Sequence, residues 1–153
     1  EPVGQHASPA GPQATVMQMA LVGCAIANDG TIMKPYLVDS IYNAEGKCSS
    51  TTSPQELKRA VSPTIASRVK SVLEGVVAQG TGTPAQVSGV TIAGKTGTAE
   101  TGKPKDDSWF VGMGPSEDCK VVVALVLEEA DVSASSRAQN VLATALRAQG
   151  QLK

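Results

Sequence analysis

The spacing of apolar residues along the chain predicts its elements. Over residues 13–28, Val16, Met19, Ala20, Gly23, Ile26 and Ala27 recur at helical spacing, and Gly30 can terminate the helix. Residues 36–42 read as a short strand or extended segment. Residues 43–60 are polar and broken by Gly46 and Pro54, which predicts a surface excursion. A second helix starts at Ser62, a good N-cap, with Pro63 in its first position. Ile65, Val69, Val72, Leu73 and Val76 form its apolar stripe, Gly80 ends it, and 80–89 read as a loop.

Three strands are predicted next. Residues 90–98 are rich in β-branched side chains, 108–113 carry Trp109 and Phe110, and 120–127 are almost wholly apolar, the pattern of a strand covered on both faces. The turn-like GPSEDC predicts an antiparallel hairpin between the second and third strands, while the longer AETGKPKDD joins the first and second. A last helix spans 135–149, with Ala138, Val141, Leu142, Ala145 and Leu146 on one face and Gly150 as its stop. Strands adjacent in sequence argue for a meander, so the fold class is α+β: one domain over 1–153, with a three-stranded antiparallel sheet packed with helices. Such a sheet leaves two edges to be paired or blunted.

Composition narrows the function. Net charge is −1 and the charges are scattered, so no nucleic-acid partner is expected. Aromatic residues make up 3%, which leaves Val, Leu, Ile and Ala to build the core. No apolar run is long enough to cross a bilayer, so any membrane anchor is expected outside this segment. Cys24, Cys48 and Cys119 form no CxxC pair, and with the single His6 they make no zinc site; no metal or cofactor is expected. Cys24 reads as a small apolar helix residue, the other two lie near loops, and a disulfide stays open. His6, in the Gly/Pro-rich lead-in over 1–12, is assigned no role. Asp106-Asp107 and Glu128-Glu129 read as solvating charges. Trp109 could border a groove, but reads first as the core or semi-buried aromatic of its strand.

The stretch 89–96, GVTIAGKT, fits two motifs. Gly89, Gly94, Lys95 and Thr96 match every fixed position of the phosphate-binding loop G-x-x-x-x-G-K-[ST]. The context opposes that fit. Val90, Thr91 and Ile92 are β-branched and favour extended backbone, no apolar strand precedes Gly89, and Gly97, Gly102 and Pro104 stand where a helix should start. The second fit is Lys-Thr-Gly on a strand. Lys95 supplies a cation, Thr96 a hydroxyl, and Gly97 has no Cβ to hinder an extended chain lying along the strand. Those groups suit a peptide that ends in a carboxylate.

The surroundings favour the second fit. VTIAGKTGTAE, then Trp109-Phe110-Val111-Gly112-Met113-Gly114-Pro115, an apolar strand and a closing helix resemble penicillin-binding proteins of the class B, monofunctional kind. Val3-Gly4-Gln5, Gln18-Met19-Ala20, Ala27-Asn28-Asp29-Gly30, Lys34-Pro35-Tyr36, Val76-Val77 and Gly80-Thr81-Gly82 extend the resemblance over residues 3 to about 146. It implies the C-terminal half of the serine β-lactamase/penicillin-binding transpeptidase fold, in which two N-terminal strands flank these three.

The resemblance also implies a reaction: acyl transfer from a D-Ala-D-Ala stem peptide through a serine that β-lactams acylate. In that reaction Lys95 is a catalytic residue assisting a proton shuttle, Thr96 binds the substrate or drug carboxylate, Gly97 gives close approach, and the Thr98 N–H is one arm of the oxyanion hole. The expected partners are peptidoglycan stem peptides, β-lactams, the rest of the transpeptidase chain and proteins of cell-wall synthesis complexes, on the extracytoplasmic side of the bacterial membrane. The alternative is a β-lactam or muropeptide sensor of the same fold.

Of the family's set S-x-x-K, S-x-N and K-T-G, only the last is convincing. S-x-N does not occur. The one S-x-x-K, Ser67-Arg68-Val69-Lys70, falls opposite the apolar stripe, where Ser67, Lys70, Ser71 and Glu74 read as a solvated face. The nucleophile is therefore expected outside this segment, and this segment alone is expected to be inactive.

Overall fold

The computed structural model describes residues 13–102 and 104–152. The lead-in over 1–12, with His6, lies outside the described residues. Helix α1 spans Val16–Ala27 and opens on a reciprocal cap: the Gln18 N–H donates to Thr15 Oγ1 at 3.2 Å, and the Thr15 N–H donates to Gln18 Oε1 at 2.8 Å.

The stretch from 31 to 60 differs from its sequence reading. β1 (Thr31–Met33) pairs with β4 (Glu56–Arg59), and β2 (Ser40–Tyr42) pairs with β3 (Cys48–Thr51), so the polar excursion is a nested antiparallel arm. Residues 34–39, expected to be partly strand, are irregular. The arm has almost no buried face, and Leu37, between β1 and β2, is 99% exposed. Strands this short, with neither face covered, show no alternation to read.

Helix α2 (Pro63–Gln79) begins on Ser62, whose Oγ accepts from the Ile65 N–H at 3.3 Å. Its buried side corrects the sequence reading. Ala66 and Val77 are buried and Lys70 and Glu74 half-buried, whereas Val72 is 68% exposed and Ile65 and Val69 are also exposed. Glu74 accepts a hydrogen bond from Ser116, which is only 1% exposed. Lys70 lies near enough to Cys119 for its charge to act on that thiol. α2 is oriented by its packing on the sheet and on the turn carrying Ser116, so a polar row goes beneath it and much of the apolar row stays outside. Of the four residues read as a solvated face, Ser67 and Ser71 are exposed.

A short 3₁₀ turn (Thr83–Ala85) leads to β5 (Ala93–Ala99), β6 (Asp107–Gly114) and β7 (Val121–Leu127), an antiparallel meander in the order β5-β6-β7. β5 starts three residues later than its β-branched run suggested, because Val90 instead bridges back to Val87. Helix α3 (Ala134–Ala148) closes the chain.

The two faces of the sheet are covered by different helices. α1 packs on the Val111 and Met113 face, where Gly23 admits close contact with Val122. α3 covers the other face, and Leu142 approaches Gly112. Phe110, fully buried, anchors that side. Its ring lies across Gly94 and Gly112, which sit opposite each other in the ladder. Burying such a ring contributes about 1.5–3 kcal/mol.

Candidate active site

Lys95, Thr96, Gly97 and Thr98 all lie on β5, an edge strand of the three-stranded sheet. The ladder places Lys95 opposite Val111, Thr96 opposite Phe110, Gly97 opposite Trp109 and Thr98 opposite Ser108. Side chains alternate along a strand, so Lys95 and Gly97 share the face of Trp109 and Val111. Lys95 is exposed, and its ammonium donates to the Thr96 carbonyl at 2.6 Å. A Cβ on Gly97 would meet only Trp109 Cβ, at 3.4 Å. Nothing else in the described chain crowds that position.

A feature that sequence reasoning missed is the partner of Thr96. Its Oγ1 lies 2.7 Å from Thr81 Oγ1. The Gly80 and Gly82 N–H groups both donate to the Val76 carbonyl, each at 3.0 Å, folding the loop onto the end of α2 and holding Thr81 against β5. The signal was the Gly80-Thr81-Gly82 string, but its contact with a residue fifteen positions on is tertiary.

Two cavities meet at this strand. The larger, about 1050 Å³, is walled by Met19, Val22 and Ile26 of α1, Val69 and Leu73 of α2, and Lys95 and Trp109. The apolar stripe of α2 thus partly faces the cleft. Trp109 is half-buried and borders it. The smaller cavity, about 510 Å³, runs from Thr81, Thr96 and Thr98 to Ser108, Asp131 and Ser133. Its rim is tied by the Lys105–Asp131 ion pair, by the Ala130 N–H on the Asp106 carbonyl at 3.1 Å, and by the Glu129 N–H on Asp107 Oδ1 at 2.9 Å. Asp107 is therefore a structural acceptor as well as a charge.

The extended backbone through Lys95 and Thr96 rules out the phosphate-loop reading, which requires a helix to start there. Among the described residues, no group of His, Cys, Asp or Glu could hold a metal ion. A cation, two linked hydroxyls and a strand edge can together receive an extended peptide ending in an anion. Ser67 is elsewhere, exposed on α2, and no hydrogen bond joins it to Lys70 among the described residues.

Comparison with known proteins agrees with this geometry. The penicillin-binding protein transpeptidase domain model matches residues 4–147. Peptidoglycan D,D-transpeptidase PbpA of Mycolicibacterium smegmatis is 40% identical over 119 residues, covering 75% of this chain and 24% of the relative. The crystal structure of the D,D-transpeptidase domain of a peptidoglycan glycosyltransferase from Eggerthella lenta is 58% identical, with a TM-score of 0.88 over 97% of this chain and 36% of that one. Penicillin-binding protein A from M. tuberculosis, solved as an imipenem acyl-enzyme complex, is 36% identical, with a TM-score of 0.77 over 87% of this chain and 31% of that one. The chain thus spans about a quarter of the length of the curated relatives it matches. It belongs to the penicillin-binding protein transpeptidase domain family.

Proposed function

We propose that this chain is the carboxylate-binding part of a serine D,D-transpeptidase that cross-links peptidoglycan stem peptides and is acylated by β-lactams. The observation that carries the reading is Lys95-Thr96-Gly97 on an open strand edge beside a cleft. Thr96, with Thr81 behind it, receives the terminal carboxylate of the donor peptide or the drug. Lys95 adds positive potential and assists proton transfer to and from the attacking serine. The Thr98 N–H stabilises the oxyanion of the tetrahedral intermediate.

Residues 1–153 then form the C-terminal portion of one transpeptidase domain, and the nucleophile comes from outside them. The cleft supports this division. Its walls expose Val22 of α1 and Val69 of α2, an apolar lining that a further helix of the same domain would cover. The reaction takes place on the extracytoplasmic side of the bacterial membrane, together with other cell-wall synthesis proteins. No helix among the described residues is long and apolar enough to cross a membrane.

Labelled penicillin tests this proposal. The intact protein should gain one covalent adduct, mapped by mass spectrometry to a serine other than Ser67. No adduct at all would remove the reading, and an adduct on Ser67 would refute the division of labour. An adduct without stem-peptide turnover would identify a sensor instead of an enzyme.

A further inference from the structure

Two of the three cysteines lie on α1 and just before β7, elements that pack against each other, away from the Lys95 strand and independent of its proposed role. Cys24 is half-buried in α1 and Cys119 half-buried in the turn between β6 and β7. These elements meet next to Cys24 and within β7 just past Cys119: a Cβ built on Gly23 would come 2.7 Å from Cγ1 of Val122, three residues past Cys119. Cys119 Sγ lies 3.4 Å from the Val121 carbonyl oxygen, so the thiol follows the chain towards the start of β7, the strand on which α1 packs. Cys119 also lies near enough to Cys24 to act on its thiol. Burial first, and then Cys119, push the Cys24 thiol above its ordinary range. Cys48 takes no part, being exposed on β3 in the arm, with its Sγ 3.4 Å from the Ser50 carbonyl.

We propose that Cys24 and Cys119 are the two halves of a disulfide that ties α1 to the β6–β7 turn. In forming it, the two thiols lose two protons and two electrons and an S–S bond is made. A small-molecule or protein disulfide is the oxidant: its S–S bond breaks and it leaves as two thiols. Burial keeps both cysteines protonated and slow as nucleophiles, so exchange requires the thiolate fraction that mildly alkaline conditions supply. Outside the cytoplasm such a bond would persist. It would join the helix that walls one side of the cleft to the sheet that carries Lys95.

Thiol mapping of the intact protein tests the assignment. Cys48→Ser protein is purified under reducing conditions, incubated with oxidised glutathione at mildly alkaline pH, denatured and digested without reductant. The expected result is a linked peptide pair containing Cys24 and Cys119 and loss of both thiols. In a Cys24→Ser, Cys48→Ser protein, Cys119 should then carry glutathione. If both cysteines instead end as separate glutathione adducts, or stay free, the proposal is overturned. The deciding map is that of the Cys48→Ser protein, in which neither Cys24 nor Cys119 is altered, so misfolding of the Cys24→Ser control cannot decide it.

Discussion

Thr81 Oγ1 and Thr96 Oγ1 lie 2.7 Å apart, joining the loop after α2 to the strand that carries Lys95. This contact fixes the direction of one hydroxyl by means of another. If Thr96 receives a carboxylate, Thr81 sets where its hydrogen points. Thr81→Val should therefore slow β-lactam acylation of the intact protein about 3- to 10-fold, the value of one hydrogen bond, while Thr81→Ser stays near the native rate. Equal loss in both variants would mean that the hydroxyl is not what matters.

Gly94 and Gly97 should respond to alanine in opposite ways. A Cβ at Gly94 would come 2.5 Å from Phe110 Cζ and 3.0 Å from the Val111 carbonyl oxygen, whereas at Gly97 the nearest atom is 3.4 Å away. Gly94→Ala should cost about 1–3 kcal/mol in denaturant unfolding, an overpacking penalty. Gly97→Ala should fold with near-native stability and lose acylation rate, because its Cβ would face the incoming peptide. Equal unfolding midpoints for the two variants would contradict this.

Ser116 is buried and donates to Glu74, and its N–H donates to the Thr91 carbonyl at 2.9 Å. It thereby links α2, the β6–β7 turn and the approach to β5. Ser116→Ala keeps the backbone bond but leaves the Glu74 carboxylate short of a donor, which should cost about 1–3 kcal/mol. A urea titration reads this directly, and an unchanged midpoint would show that water replaces the hydroxyl without loss.

How much of this was legible in the sequence follows from what each signal measures. The meander and α3 could be read because a β-branched run leads into β5, β6 and β7 carry apolar runs, and Ala138, Leu142 and Leu146 of α3 recur at helical spacing on its buried face. Lys95, Thr96, Gly97 and Thr98 were placed together because they are consecutive on one strand. The arm was missed because β1 to β4 are three or four residues long with little buried surface. The α2 stripe was real, but periodicity says only that a helix has two faces, and here Lys70 and Glu74 go under the helix while Val72 stays outside. The Thr81 contact depends on a loop conformation that no local pattern encodes.

The two half-buried thiols give a pH dependence. Burial is the main cause that raises both Cys24 and Cys119; backbone carbonyl contacts and Lys70 partly offset it at Cys119. The folded state holds their protons more tightly than the unfolded state. The stability they contribute is therefore fully present below the ordinary thiol pKa and is lost as pH rises through the raised values. In reductant, the urea midpoint should fall more steeply above about pH 9 for the native protein than for a Cys24→Ala, Cys119→Ala variant. Parallel curves would contradict this.

The central claim is that Lys95 on β5 serves the chemistry and not the fold, and the acylation rate of Lys95→Ala protein tests it most directly. Lys95 is exposed, and among the described residues its ammonium donates only to the carbonyl of its neighbour, while its backbone stays in the β5–β6 ladder whatever the side chain, so the variant should unfold at the native midpoint. Stopped-flow acylation of the intact protein by penicillin should nevertheless slow by about 100-fold or more, the scale of losing a proton-transfer group. A native acylation rate in the folded variant would contradict the claim.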